Sequence, residues 1–472
     1  MAVGQLDKAS VPHVHFIGIG GAGMSAIASI LLERGYRVSG SDVALHDYTR
    51  RLIELGATVY EGHDAAHVAG ADAVVYTTAV SADNVELLAA HDLKIPVLHR
   101  SEMLAQLMQA GVGIAIAGAH GKTTTTSMVA WILERAGLDP TFLVGGVVAN
   151  LDTGAKAGAG QYVIAEADES DGSFLNYEPA IAVITNIEAD HLEHYGGEFD
   201  QLKKAYQQFA DRIPEEGLLI SCADEVEAQS ILAGASCHRK TYSVRGYEAN
   251  LIANNVHFDG RGSRSDIYLD GEYLGVIELQ VPGYHNISNA LGAMLVALEV
   301  GVSFPVIRDA MKLFRGALRR FQVHYDHGGI MVVDDYAHHP TEIKAIITAA
   351  KATGKRIIAV FQPQRYTRTY HLFDDFTHAF SEAQEVVIAT IYSPAGEQPI
   401  AGVNSSRLAE MVRVNSNSTA TFIPNNAEIL MYLQEIVQPG DLVLTMGAGD
   451  IWKVAKEFSV WLESKMSLAN QI

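Results

Sequence analysis

A short glycine-rich run has the residues that hold a nucleotide phosphate. Residues 118–123 read Gly-Ala-His-Gly-Lys-Thr, between an apolar run of strand length and a helix-like pattern that begins at Thr124. Glycines let backbone N–H groups turn towards phosphate oxygens, a lysine bridges the outer phosphates, and a threonine hydroxyl suits Mg²⁺. The run is shorter than the full Walker form, because Ile116 occupies the position of its outer glycine. We interpret residues 118–123 as a shortened phosphate loop, with an ordinary strand-to-helix turn as the alternative.

Two further apolar runs of this region end in side chains that can bind a metal. Residues 162–165 lead into Glu-Ala-Asp-Glu-Ser-Asp at 166–171, and residues 181–185 lead into Asn-Ile-Glu-Ala-Asp-His at 186–191. The carboxyl ends of parallel strands meet at one edge of a sheet, and Mg²⁺ needs only one or two carboxylates beside phosphate oxygens. The pattern predicts Glu166 and His191 as metal ligands, with a solvated acidic loop as the alternative.

A second glycine pattern stands near the N-terminus. Gly18, Gly20 and Gly23 follow a short apolar strand, and Asp42 follows about 20 residues later at the end of the next strand. This is the fingerprint of a site for a diphosphate joined to a ribose, so NAD, FAD and UDP-sugars all remain open. Other polar residues stand just beyond predicted strand ends, where an open α/β sheet binds its ligand; they are His63, Thr77, Thr78 and Arg100.

The alternation of strands and helices predicts an α/β protein of three domains. We expect a Rossmann-like domain at 1–111, a central domain at 112–320 with a P-loop ATPase-type parallel sheet, and a C-terminal Rossmann-like domain at 321–472. The last domain has buried-type strands near 330–333, 356–361, 385–390 and 441–445. Between 240 and 280, Asp259-Gly260 and Asp270-Gly271 resemble hairpin turns and predict a small antiparallel addition.

Composition narrows the range of partners. The 472 residues carry a formal net charge of −21, which argues against nucleic acid or an anionic membrane surface as the main partner. The two cysteines lack metal-site spacing, and the N-terminus has no secretory pattern or long apolar segment. We expect a cytoplasmic protein, a monomer or weak homodimer.

Six ordered motifs resemble the Mur ligase family over the whole chain. They comprise the acidic run 166–171 and residues 15–25 (His-Phe-Ile-Gly-Ile-Gly-Gly-Ala-Gly-Met-Ser), 117–125 (Ala-Gly-Ala-His-Gly-Lys-Thr-Thr-Thr), 185–191 (Thr-Asn-Ile-Glu-Ala-Asp-His), 334–341 (Asp-Asp-Tyr-Ala-His-His-Pro-Thr) and 361–369 (Phe-Gln-Pro-Gln-Arg-Tyr-Thr-Arg-Thr). The resemblance implies one domain for a UDP-sugar, one for ATP and one for an amino acid. Within the family, the chain resembles the branch that uses ATP and Mg²⁺ to join L-alanine to the lactyl carboxylate of UDP-N-acetylmuramate through an acyl phosphate, in peptidoglycan synthesis.

The resemblance, taken together with the patterns above, implies the candidate site residues. The candidate catalytic residues are Lys122, Glu166, His191, Arg320 and His338, and the candidate metal ligands are Thr123, Glu166 and His191. The ATP-binding candidates are Gly118, Ala119, His120, Gly121, Lys122, Thr123, Thr124, His285, Asn289, Arg320 and Asp335. The UDP-sugar candidates are Gly18, Gly20, Gly23, Met24, Ser25, Asp42, His63, Thr77, Thr78 and Arg100, and the amino-acid candidates are Tyr336, His338, Gln364, Arg365 and Arg368.

Two positions depart from the family's usual pattern. Ala119 replaces the threonine usual in the phosphate loop, and Gln364 stands where histidine is common. The first change leaves the backbone amides in place, whereas the second touches the predicted amino-acid site. A murein-peptide recycling ligase of the same family, a nicotinamide-dependent oxidoreductase and a non-enzymatic nucleotide sensor remain as alternatives.

Overall fold

The N-terminal part of the chain folds into a parallel sheet. This computed structural model describes residues 11–260, 262–393 and 397–469. The first elements are β1 (His13–Ile17), α1 (Ala22–Glu33), β2 (Arg37–Asp42), α2 (Asp47–Glu54), β3 (Thr58–Glu61), β4 (Ala73–Tyr76), α3 (Val85–Asp92), β5 (Val97–His99) and α4 (Arg100–Gln109). The strands lie in the order β3-β2-β1-β4-β5, with parallel neighbours throughout. The order reverses between β1 and β4, so the ligand crevice of such a sheet opens beyond the end of β1.

The middle part is built on a ten-stranded sheet. Its elements are β6 (Val112–Ala117), α5 (Lys122–Arg135), β7 (Thr141–Val148), β8 (Thr153–Lys156), β9 (Tyr162–Glu166), β10 (Ile181–Ile184), α6 (Phe199–Ala210), β11 (Leu218–Cys222), α7 (Val226–Gly234), β12 (His238–Ser243), β13 (Leu251–Phe258), β14 (Ser263–Leu269), β15 (Glu272–Leu279), α8 (Tyr284–Glu299) and α9 (Phe304–Leu313). The strand order is β15-β14-β13-β12-β11-β10-β6-β9-β7-β8. Because β6 pairs in parallel with β9 on one side and β10 on the other, all three end at the same edge.

The C-terminal part forms a six-stranded sheet. Its elements are β16 (Gln322–His327), β17 (Ile330–Asp335), α10 (Pro340–Lys351), β18 (Arg356–Phe361), α11 (Tyr366–His371), α12 (Phe373–Thr377), β19 (Glu385–Ile388), α13 (Ser405–Asn415), β20 (Thr421–Phe422), α14 (Asn426–Ile436), β21 (Asp441–Met446) and α15 (Trp452–Ala469). The order is β16-β17-β21-β18-β19-β20, antiparallel only between β16 and β17. Apolar side chains cover both faces of this sheet, as its continuous apolar strands require.

Backbone contacts group the chain into two compact units. The first comprises the chain up to Asn254 with Asp266–Ile277 and Ser288–Phe314, and the second comprises Asn255–Ser265, Glu278–Ile287 and the chain from Arg315 onwards. The predicted domain boundaries at 111 and 320 stay predictions. Among the described residues, no helix is both long enough and apolar enough to cross a bilayer.

The three α/β parts predicted from the sequence are confirmed, and so is the turn at Asp270. Asp270 and Gly271 both have positive φ, +48° and +84°, and they join β14 to β15 as a two-residue hairpin turn. The antiparallel hairpin of β7 and β8 is not predicted from the sequence. Two adjacent glycines interrupt the apolar run of β7, and the four residues of β8 (Thr-Gly-Ala-Lys) include no large apolar side chain, so neither strand shows the apolar alternation that indicates a strand.

Candidate active site

The phosphate loop bends at two glycines between β6 and α5. Gly118 has φ of +132° and Gly121 has φ of +83°, values that favour glycine over other residues. A Cβ on Gly118 would lie 2.0 Å from Thr185 Oγ1, and one on Gly121 would lie 2.4 Å from Asn289 Oδ1. Helix α5 begins at Lys122 without a side-chain cap. Its first backbone N–H groups are therefore available to an anion.

The end of the neighbouring strand β10 fixes the loop in place. The N–H groups of Ala119 and His120 donate to the main-chain and side-chain oxygens of Asn186, at 3.1 and 2.9 Å. The hydroxyl of Thr185 donates to the carbonyl of His120 at 2.6 Å. Thr185 and Asn186 are not among the predicted site residues, although both belong to the motif 185–191 and stand directly after a buried strand.

The ammonium group of Lys122 lies between the loop backbone and a buried carboxylate. Its Nζ donates to Gly118 O at 2.6 Å and to the two carboxylate oxygens of Glu169 at 3.1 and 2.8 Å. Burial lowers the pKa of Lys122, but the negative charges of Glu169 and Asp168 outweigh this effect and raise the pKa overall. Lys122 is therefore charged at neutral pH. Glu169, also not selected from the sequence, is only 2% exposed.

Two of the three predicted metal ligands are in contact. Thr123 Oγ1 donates to Glu166 Oε2 at 3.2 Å, while Oε1 of the same carboxylate accepts from Gly145 N at 2.6 Å. Oxygen ligands on adjacent corners of an Mg²⁺ octahedron lie about 2.9 Å apart, so this pair fits a magnesium ion. His191 follows β10 at the same edge of the sheet, with φ of +55° and its Nε2 3.7 Å from Asp190 Oδ2.

The N-terminal glycine fingerprint, residues 18–23, packs against the end of β2. Gly18 N donates to Ser41 O at 2.8 Å, and Gly20 N donates to Asp42 Oδ2 at 2.8 Å. A Cβ on Gly20 would lie 2.5 Å from Nε2 of His46, a residue that the sequence analysis did not select. The predicted acid therefore contacts the glycine turn directly.

Arg100 and Thr77 also lie beside the fingerprint. Arg100 NH1 is 3.7 Å from the position of a Cβ on Gly23, and Thr77 Cγ2 is 3.2 Å from that of a Cβ on Gly18. Thr78, next along the chain, is exposed. Arg100 therefore places a cationic guanidinium beside the glycine turn.

Three other predicted UDP-sugar residues have their side chains turned away or engaged. Met24 and Ser25 are buried on α1, where Ser25 Oγ donates to the backbone of its own helix. His63 bonds to Ser41 Oγ at 2.9 Å and to Glu86 Oε2 at 3.3 Å. Glu86 is fully buried, so His63 belongs to a hydrogen-bond network that includes a buried carboxylate.

In the C-terminal sheet, Asp335 is a buried carboxyl at the end of β17. It accepts hydrogen bonds from Phe321 N at 2.7 Å and Ala337 N at 2.8 Å. Burial raises the pKa of Asp335 to about 6, against the opposing effect of the Arg320 guanidinium. That guanidinium lies 5.3 Å from the ring centre of Tyr336. The structure thus brings together Arg320, Asp335 and Tyr336, which are predicted to bind the nucleotide or the amino acid.

Two predicted histidines, His338 and His285, belong to the same compact unit as Asp335. His338 Nδ1 is 3.0 Å from Tyr336 O, and His338 N donates to Glu342 Oε2 at 2.9 Å. Burial, assisted by the positive charge of Arg320, lowers the pKa of His285 to about 4. His285 is therefore a neutral imidazole at physiological pH.

The predicted amino-acid residues after β18 form a local cluster. Gln364 Oε1 accepts a hydrogen bond from Arg368 NH1 at 3.0 Å. Arg365, with φ of +67°, donates its N–H to Tyr392 O at 2.9 Å. A neutral histidine at position 364 would have one ring nitrogen able to accept the bond from Arg368. Glutamine therefore preserves the contact without adding a titratable group.

The comparisons with protein families cover nearly the whole chain. The catalytic domain of the Mur ligase family matches residues 13–111, the Mur ligase middle domain matches 116–297, and the Mur ligase glutamate ligase domain matches 319–449. The chain therefore belongs to the Mur ligase family. The resemblance drawn from its six motifs is confirmed.

Individual relatives show which members of this family the chain resembles. The chain is 47% identical to UDP-N-acetylmuramate–L-alanine ligase of Pelotomaculum thermopropionicum, covering 94% of this chain and 96% of the relative. The crystal structure of UDP-N-acetylmuramate–alanine ligase from Thermotoga maritima is similar with a TM-score of 0.79 at 27% identity, covering 96% and 99% of the two chains. A murein peptide ligase from Psychrobacter arcticus gives a TM-score of 0.68 at 25% identity, covering 95% and 98%.

Proposed function

We propose that this chain joins L-alanine to the lactyl carboxylate of UDP-N-acetylmuramate, with ATP as the energy source, in peptidoglycan synthesis. The observation that carries the proposal is the match to a ligase of that name, 47% identical over nearly the full length of both chains. The use of ATP and a nucleotide sugar agrees with a reaction in the cytoplasm.

The chemistry requires activation of a carboxylate. The lactyl carboxylate attacks the γ-phosphorus of ATP, releasing ADP and giving an acyl phosphate, and the amine of L-alanine then displaces phosphate to form the amide. The phosphate loop and the charged Lys122 bind the phosphates and stabilise the charge of the transferring phosphoryl group. Positioning and electrostatics supply most of the catalysis in such transfers.

We infer that Thr123, Glu166 and His191 hold Mg²⁺. The 3.2 Å contact between Thr123 Oγ1 and Glu166 Oε2 supports the assignment of these two residues, because Mg²⁺ prefers oxygen ligands. His191 is included because it matches the metal-binding imidazole of the family's motif. When bound, Mg²⁺ neutralises phosphate charge and orients the reacting oxygens.

The other roles follow the family's motifs. We assign the N-terminal fingerprint with Asp42 and Arg100 to the UDP-sugar, supported by their contacts around the glycine turn. We assign Arg320, Asp335 and His285 to the nucleotide. The candidates for L-alanine remain Tyr336, His338, Gln364, Arg365 and Arg368.

A recycling ligase that attaches a peptide in place of L-alanine is the second candidate, because a murein peptide ligase shares the fold at 25% identity. The rate of phosphate release with different amine substrates distinguishes the L-alanine ligase from the recycling ligase. The full chain is incubated with ATP, Mg²⁺ and UDP-N-acetylmuramate, and with L-alanine, glycine, L-serine or an L-alanyl-γ-D-glutamyl-meso-diaminopimelate tripeptide. We expect the highest kcat/KM with L-alanine; faster turnover with the tripeptide would overturn the proposal in favour of recycling.

A further inference from the structure

The acidic segment, residues 166–171, contacts the phosphate loop through two carboxylates. Glu166 accepts from Thr123 Oγ1 at 3.2 Å, and Glu169 accepts from Lys122 Nζ at 2.8 Å. Both groups of the loop are assigned above to Mg²⁺ and phosphate. When ATP–magnesium binds, Glu166 would therefore become a metal ligand, and Glu169 must release Lys122 to the phosphates.

A third carboxylate of the same segment reaches the other substrate site. Asp171 Oδ2 accepts from Arg100 NH2 at 3.0 Å, and the side chains of the pair are 9% and 23% exposed. The other terminal nitrogen of Arg100, NH1, faces Gly23 of the fingerprint. Burial would raise the pKa of Asp171, but its hydrogen bonds with Ser173 and the charge of Arg100 lower it overall. Asp171 thus remains an anion that fixes Arg100 beside the fingerprint.

The backbone between these carboxylates is held firmly. Ala167, fully buried, donates its N–H to Ile116 O of β6 at 2.8 Å. Tyr195 donates its hydroxyl to the carbonyl of Glu169, and Gly172 N donates to the same carbonyl at 3.0 Å. A segment fixed in this way transmits a shift of one carboxylate to the next, because packed interiors deform little.

We propose that Asp171 is a positioning residue for the UDP-sugar site, acting through Arg100, and that the acidic segment couples this site to the ATP site. The proposal rests on the function assigned above. When ATP–magnesium binds, Glu166 would become a metal ligand and Glu169 would release Lys122, and these two shifts of the segment change how Asp171 holds Arg100. By linkage, each ligand changes the affinity of the other by the same factor.

Calorimetry on the full chain measures this factor directly. The dissociation constant of UDP-N-acetylmuramate is determined with and without saturating AMP-PNP and Mg²⁺, in the absence of L-alanine. We expect the two values to differ by about fivefold or more in the wild type. Asp171→Asn should bring their ratio within about twofold of one, while the affinity for AMP-PNP alone changes by less than about threefold, because the substituted side chain does not touch the loop.

Two further variants separate coupling from simple loss of structure. Arg100→Gln removes the same ion pair from the other side and should also abolish the coupling, with no additional effect in the double variant. Arg34→Gln is the matched control, since Arg34 NH2 donates to Thr141 Oγ1 at 3.2 Å and so links the same two parts of the chain away from the acidic segment. It should retain the wild-type ratio.

The outcomes separate this inference from the proposed function. A ratio of one in a wild-type protein that binds both ligands overturns the coupling, and an unchanged ratio in both Asp171→Asn and Arg100→Gln overturns the role of the pair. If the wild type fails to bind one ligand, or releases no phosphate with L-alanine, the proposed function itself fails.

Discussion

At the scale of single residues, Lys122 carries the largest share of the proposed chemistry. Its ammonium is held by the carbonyl of Gly118 and the carboxylate of Glu169, so its position is defined by the protein. A positive charge already in place requires little reorganisation when charge develops on a phosphoryl group.

Lys122→Ala should lower kcat by at least about a hundredfold, comparable to the loss of one preorganised donor. Binding of UDP-N-acetylmuramate alone should stay within a few-fold, because the fingerprint is built from a different sheet. Steady-state phosphate release and calorimetry measure the two effects. Lys156→Ala is the control: Lys156 pairs with Glu134 and Asp139 at 2.6 and 2.8 Å, and its removal should leave kcat nearly unchanged. Near-normal turnover of Lys122→Ala would refute the assignment.

At the scale of elements, the junction of β6 and α5 shapes the phosphate loop. Two glycines with positive φ bring the loop backbone within contact of Thr185 and Asn289. These contacts come from β10 and α8, so three elements together determine the loop geometry.

Gly121→Ala should weaken ATP binding by about tenfold or more. The substitution costs roughly 1–2 kcal/mol for the left-handed backbone, and its methyl group would also meet Asn289 Oδ1 at 2.4 Å. Gly137→Ala, at the other end of α5, is matched for backbone strain, since its φ is +74° and its Cβ would meet nothing within 4 Å. Calorimetry with AMP-PNP should show a loss of affinity in Gly121→Ala only. Equal losses of affinity in both variants would mean that the close approach of Gly121 to Asn289 does not matter for ATP binding.

The sequence predicted the elements that carry chemistry better than the contacts between them. Lys122, Glu166 and Asp42 could be selected because each follows a strand within a recognisable pattern. Glu169 and Asn186 lie within the motifs 166–171 and 185–191, but their contacts with the loop depend on neighbouring strands that bring together residues far apart in sequence. His46 lies outside every motif. The inward direction of Met24 and Ser25 on α1 likewise depends on the sheet against which the helix packs.

At the scale of the whole molecule, buried charge makes stability depend on pH. The pKa of Asp335 is about 6 in the folded protein, against an ordinary value of 3.8. Between these values the folded state keeps a proton that the unfolded state has lost, so the free energy of unfolding decreases as pH rises through this range. The total effect is about 3 kcal/mol.

Asp335→Asn should remove this part of the pH dependence. The difference in unfolding free energy, variant minus wild type, should rise by about 3 kcal/mol from pH 4 to pH 7. In a Trp131→Phe background, urea unfolding is followed by the fluorescence of Trp452 and Trp461, both on α15. Asp375→Asn, which changes an exposed residue of the same part, should follow the wild-type curve. If the difference in unfolding free energy between Asp335→Asn and the wild type stays constant from pH 4 to pH 7, this carboxyl does not titrate in that range.

The position of β6 between β9 and β10 has a consequence for synthesis on the ribosome. The loop glycines emerge long before Asn186, the residue that holds the loop backbone. At about 5–20 residues per second, the roughly 65 intervening residues take about 3–13 s to be made. Asn289 of α8 follows later still. The phosphate loop therefore acquires its last contacts only after helix α8 has been made, so we expect ATP binding to appear late in the synthesis of the middle part of the chain.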